Sequence, residues 1–183
     1  MVYVLLAEGF EEIEAITPVD LLRRAGVEVQ TVGVTGKTVG GSHGIPVVAD
    51  IEMDEADWDG AEMVVLPGGL KGTNNLNEDA RVHRAIEGML QKEKYVTAIC
   101  AAPSVILGGM GVLQGKKATC YPGMEDGMKG ATPLSRNCVV DGHIITGRGV
   151  GGALDFACAL VSALCGEEQA RRVAAAVVHH AGA

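Results

Sequence analysis

The chain has 183 residues, enough for one domain with a proper core, and a single domain over residues 1–183 is expected. A net charge of −8 argues against nucleic acid or an anionic membrane surface as partner, because both repel an acidic protein. Only 3% of residues are aromatic while 48% are apolar, so Val, Ile, Leu, Ala and Met must build the core.

Residues 1–7 are apolar but lack the basic leader of a signal peptide, so a buried strand is predicted over 2–7. A helix follows over 12–25, with Ile13, Ile16, Val19, Leu21 and Leu22 at apolar positions and Gly26 as its stop. Strands are expected over 28–34, over 45–51 after the Gly40-Gly41 turn, and over 63–66 before Pro67-Gly68-Gly69. A helix over 81–92 leads to a strand over 96–99, which runs into Cys100 and a helix opening at Pro103. Asp141-Gly142 predicts a hairpin between 138–140 and 143–146. Helices over 152–165 and 167–180, parted by Gly166, close the chain. Strands alternating with helices give an α/β sandwich, with a mainly parallel sheet and helices on both faces. No apolar run approaches the ~20 residues of a bilayer span, so no membrane partner is expected.

Two glycine motifs are set aside. Gly147–Gly152 matches G-x-G-x-x-G, but only helices follow it, so the βαβ unit of a dinucleotide site is never completed. Gly33–Thr38 is two residues too short for a phosphate-cradling loop. Cys100, Cys120, Cys138, Cys158 and Cys165 are scattered, as are His43, His83, His143, His179 and His180, with no metal-ligand spacing. Free thiols, no metal, no cofactor and a reducing cytoplasm are the expectation.

Cys100 carries the chemistry. It falls at a strand-to-helix corner, the arrangement that projects a nucleophile above a sheet. Ala101 and Ala102 leave room around the sulfur, Pro103 suits a first helical turn, and a helix N-terminus favours thiolate. The plain alternative is a buried, inert cysteine. Three other strand ends lie on the same side. Glu14 can face the loops above the sheet, where burial against a thiol would raise its pKa and make it a proton donor and acceptor. Glu11 and Glu12 read as simple complements to the helix dipole. Gly68 and Gly69 form either a plain turn or, with Ala101, a pair of backbone donors for an oxyanion. Arg148 is either a surface charge or the holder of an anionic substrate.

Glu11-Glu12-Ile13-Glu14, Leu66-Pro67-Gly68-Gly69, Ala98–Pro103 and Thr146–Gly149 together resemble the ThiJ/PfpI superfamily, most closely its DJ-one branch with the bacterial YajL proteins. The resemblance implies a flavodoxin-like sandwich and a homodimer. It makes Cys100 the reactive cysteine, Glu14 its hydrogen-bonding partner, and Gly69 and Ala101 the backbone donors at the sulfur. It implies a cysteine-dependent glyoxalase or deglycase acting on small 2-oxoaldehydes or glycated amines; the alternative is a redox-sensing stress protein or holdase chaperone. Three positions depart from the pattern. Ala101 stands where the protease-like branch has His, which argues against proteolysis. Tyr121 precedes Pro122 where some relatives have His, and a phenol is no neutral-pH base. His43 stands where relatives often have Arg, near the implied dimer contact.

Overall fold

Val2–Leu6 form β1, with every side chain buried, as an apolar run covered on both faces must be. After α1 (Glu12–Arg24) come β2 (Val29–Gly33), the short strands β3 (Thr38–Gly40), β4 (Pro46–Val48) and β5 (Ile51–Glu52), and β6 (Met63–Leu66). Helices α2 (Leu70–Glu78) and α3 (Ala80–Gln91) precede β7 (Tyr95–Ile99). The chain continues through β8 (Lys117–Ala118), β9 (Thr132–Pro133), β10 (Cys138–Asp141) and β11 (Ile144–Gly147) to α4 (Ala153–Cys165) and α5 (Glu167–Ala176). The computed structural model describes residues 1–179.

The main sheet has the order β10-β11-β7-β6-β1-β2-β5, parallel except for the β10–β11 hairpin at one edge. Within it, β2-β1-β6-β7-β11 repeats the 2-1-3-4-5 order of flavodoxin-like sheets, whose ligand crevice opens between the first and third strands. One apolar layer joins the sheet to α2 and α3 through Leu76, Val82, Ile86 and Met89. The other joins it to α1, α4 and α5 through Leu22, Phe156, Leu160 and Val173. Each fully buried aliphatic side chain contributes about 1.5–3 kcal/mol, so these two layers hold the sheet between its helices. Helices cover both faces, as expected. Among the described residues no helix is long and apolar enough to cross a membrane.

Several boundaries differ from the sequence reading. The strand expected over 45–51 divides: β4 pairs antiparallel with β3 in a separate hairpin, and β5 joins the sheet edge beside β2. Asp50 lies at the break, with Oδ2 accepting from the Thr31 amide (2.8 Å) and from Arg23 (2.7 Å). A side chain occupied in this way ties the segment to β2 instead of continuing a ladder. Helix α2 is absent from the sequence reading because Gly72, Thr73, Asn74, Asn75 and Asn77 are weak helix formers. They serve docking: the Gly72 amide donates to the Gly9 carbonyl (3.1 Å), Asn75 Nδ2 donates to the Glu8 carbonyl (2.8 Å), and a Cβ at Gly72 would strike the Phe10 backbone. The helix expected to open at Pro103 is a single π-helical stretch, Pro103–Gly108. The final helix ends at Ala176, and His180 lies outside the described residues.

Candidate active site

β1, β6, β7 and β11 end on one side of the sheet, and their following turns line a cleft of about 1030 Å³ that holds Glu14, Gly69, Cys100, Ala101, Tyr121 and Arg148. Cys100 sits at the foot of this cleft, half-buried. Its φ of +66° is one of three positive values among the described non-glycine residues, a conformation that costs about 1–3 kcal/mol. Two backbone hydrogen bonds hold it there. The Cys100 amide donates to the Gly147 carbonyl (3.0 Å), and the Tyr121 amide donates to the Cys100 carbonyl (2.8 Å). The corner read from the sequence is therefore real.

Glu14, in the first turn of α1, is fully buried and reaches across to the β6 turn. Its Oε2 accepts from the Gly68 amide at 3.0 Å, and its carboxyl lies close enough to the Cys100 thiol for each to shift the other's proton affinity. Its Oε1 is buried without a partner among the described residues, and a Cβ at Gly149 would lie 3.8 Å from it. Burial pushes the carboxyl up to about 7, the nearby Glu11 charge adding to this while Cys100 and Gly68 pull the other way. The backbone amides of Gly69 and Ala101 lie near the Cys100 sulfur and favour its charged form. Gly68 serves Glu14 instead, and only glycine fits: a Cβ there would come within 2.5 Å of Cys100 Cβ and collide with Glu14 Oε2.

One expectation is corrected. The helix terminus does not make Cys100 a standing thiolate: burial and the Glu14 carboxylate push the thiol up to about 12, against the two amide donors. The six-residue π-helix that follows is too short for a strong dipole.

Tyr121 and Arg148 both line the cleft, Tyr121 half-exposed and Arg148 on the β11 side. The sequence reading missed the role of Glu12. Its Oε1 accepts from the His43 amide (2.7 Å), and its Oε2 accepts from His43 Nδ1 (2.9 Å) and Ser42 Oγ (3.1 Å). Glu12 thus clamps the β3–β4 hairpin to the cleft's mouth. These hydrogen bonds outweigh desolvation and hold its carboxyl down at about 2, and the same bond raises the His43 pKa. Glu11, Glu12 and His43 are the described residues whose donor atoms come close enough, within 4.8 Å of one another, to share a cation. Ser42 Oγ donating to both carboxylates and the His43 bond to Glu12 already account for that arrangement.

A cysteine on a strained corner, two amides at its sulfur and a buried carboxyl beside it define a class of α/β thiol proteins. The DJ-1/PfpI family model matches residues 1–163, and the chain belongs to this family. The Parkinson disease protein 7 homolog of Danio rerio is 35% identical over 180 residues, covering 96% of this chain and 95% of the relative. A deglycase of Pyrococcus abyssi is 31% identical over 149 residues, 80% of this chain and 89% of its own length. The chain is 34% identical to DJ-1 homolog B of Arabidopsis thaliana but spans only 40% of that longer protein. The crystal structure of a DJ-1 superfamily protein from Salmonella typhimurium superposes with a TM-score of 0.93, at 33% identity, covering 98% of both chains.

Proposed function

We propose that this protein is a cofactor-independent glyoxalase or deglycase in which Cys100 attacks the aldehyde carbon of a 2-oxoaldehyde or its amine adduct. The observation that carries this reading is the unpartnered Oε1 of buried Glu14, beside the thiol and facing the cleft. A group at about 7 can take and return a proton at neutral pH. Glu14 removes the thiol proton as sulfur bonds to the aldehyde carbon, and the carbonyl π electrons move to oxygen. The amides of Gly69 and Ala101 lie beside the developing charge. Glu14 then moves the former aldehyde hydrogen, as a proton, from C1 to C2 through an enediol. C1 is oxidised to a thioester and C2 is reduced to an alcohol. Water cleaves the thioester, releasing a 2-hydroxy acid and restoring the thiol, so a free 2-oxoaldehyde gains one water; with a hemiaminal adduct, sulfur displaces the amine from C1, the amine leaves with the thiol proton, and one water yields the same acid beside the free amine. The deglycase name of the Pyrococcus relative supports the amine-adduct form of the reaction.

The reading includes a homodimer in a reducing cytoplasm. Ile13 and Ile16 on α1, with Ile45 and Val48 on the hairpin, supply exposed apolar surface for a second copy. The rival reading is a peroxide sensor or holdase, and the sensor form needs a thiolate already present at rest. Burial and the Glu14 carboxylate oppose that state, whereas in the enzymatic reading the thiol gives up its proton only as it attacks. Lactate formation from methylglyoxal tests the choice. Wild type should form lactate and Cys100→Ser should fall to background. Equal turnover by Cys100→Ser, or selective addition of two oxygens at Cys100 by mild peroxide without any turnover, would sink it.

A further inference from the structure

Arg148 stands at the opposite end of the cleft from Glu11 and Glu12. β11 lies on one side of β7, whereas β6 and β1 lie on the other, so the two ends flank Cys100. The Arg148 amide donates to the Asn137 carbonyl (2.9 Å), and its Nη1 donates to Ser135 Oγ (2.9 Å). Asn137 is itself held, its Nδ2 donating to Asp155 Oδ2 at 2.6 Å. The side chain is therefore fixed at its base and near its tip. A guanidinium has five N–H donors, and Ser135 takes one, leaving four.

Arg23, Arg24, Arg81 and Arg172 each pair with a carboxylate; of the four arginines that pair with none among the described residues, Arg84, Arg136 and Arg171 are exposed and Arg148 is half-buried. Glu125 shares the Cys120 neighbourhood with Arg148, and its Oε2 accepts from the Gly123 amide at 2.7 Å. An unpaired, pre-positioned fork in the wall of a cleft, in a protein of charge −8, is a receptor for an anion. The acidic end repels the same group, so one orientation is imposed. The cleft volume matches the top of the range, about 300–1,000 Å³, that holds drug-sized ligands, so a three-carbon dicarbonyl leaves most of it empty.

Resting on the reading above, we infer that Arg148 selects substrates whose far end carries a carboxylate, which it binds while the aldehyde carbon meets the Cys100 sulfur. The substrate class is then an anionic dicarbonyl or dicarbonyl adduct rather than free methylglyoxal.

The test compares two disulfide reagents at Cys100, followed by peptide mass. 5,5′-dithiobis(2-nitrobenzoate) carries a carboxylate on each ring, and 2,2′-dithiodipyridine carries none. Each transfers one arylthio group to the Cys100 thiolate and releases one arylthiolate, so their rate ratio cancels the thiolate fraction. In Arg148→Gln the ratio of anionic to neutral rate should fall about tenfold, the size of one lost charge-assisted contact. Arg171→Gln, which removes an equal charge on α5, should leave it unchanged. In wild type, added salt should erode the same ratio, a readout that needs no variant to fold. A ratio unmoved by Arg148→Gln or by salt, or lowered equally by Arg171→Gln, overturns the inference. No dicarbonyl turnover enters the measurement, so its failure is distinct from failure of the enzymatic reading.

Discussion

Glu12 and Glu14 stand two residues apart in the first turn of one helix, yet their protons are held near opposite limits for a carboxyl. Glu12 is drawn down to about 2, and Glu14 is pushed up to about 7. Helix dipole and chain position are nearly the same for both, so neither explains the difference. Hydrogen-bond supply does. Glu12 receives the His43 amide, the His43 ring and the Ser42 hydroxyl. Glu14 receives one backbone amide, lies beside the Cys100 thiol, and keeps one oxygen bare. A fully satisfied buried carboxylate is structural, whereas a half-satisfied one is a reagent.

The most severe way to break this contrast is to fill the space that lets Glu14 and Cys100 meet. Gly68→Ala puts a methyl group between them, displacing both. Dicarbonyl turnover should drop by about 10²-fold or more, the effect of misplacing reacting groups by about 1 Å. Gly88→Ala, in α3 where a Cβ meets nothing within 4 Å, serves as control. It should stabilise the fold by up to about 1 kcal/mol and leave turnover alone. Equal turnover in the two variants would mean the Gly68 contact has no catalytic consequence.

Removing the charge of Glu14 sharpens the contrast. Its folded pKa lies above its ordinary value of 4.5, so the folded protein holds this proton longer than the unfolded chain. The associated stability is fully present below pH 4.5 and is lost as pH rises through about 7. Glu14→Gln cannot lose it. Urea midpoints across that window should therefore move in the variant's favour by about 3 kcal/mol, from 2.5 pH units at 1.36 kcal/mol each. The same variant should lose turnover, since Gln can neither take nor return a proton. A constant stability difference from pH 4 to pH 8 would show that Glu14 titrates like an exposed carboxyl.

How much of this was legible follows the range of each interaction. The Cys100 corner, the Gly26 stop and the Asp141-Gly142 hairpin are written in adjacent residues, and the alternation of elements fixes the sandwich. Glu14 was within reach too, because its place on α1 relative to the strand end is a local matter. The role of Glu12 was not: its partner His43 is 31 residues away and arrives through a hairpin whose register has no local mark. The sign of the Cys100 shift was missed for a related reason. A helix terminus can be read from the chain, but burial and the approach of Glu14 are products of the folded sheet. Helix α2 was hidden because its asparagines and glycine serve contacts with the β1 turn rather than helix propensity.

The smallest expected effect isolates the hydrogen bonds to Glu12. His43→Ala removes the ring donor but keeps the amide that also bonds the carboxyl. The Glu12 pKa should therefore rise from about 2 only part of the way towards 4.5, as read from the carboxyl carbon shift during an acid titration. Its folded pKa lies below the ordinary value, so the stability it supplies is present above pH 4.5 and lost as pH falls towards 2. In the variant that loss should begin at a higher pH, while the Glu14 midpoint stays within a few tenths of its wild-type value. A Glu14 midpoint that moved as far as that of Glu12 would mean the two carboxyls share one electrostatic environment, and the distinction between clamp and reagent would fail.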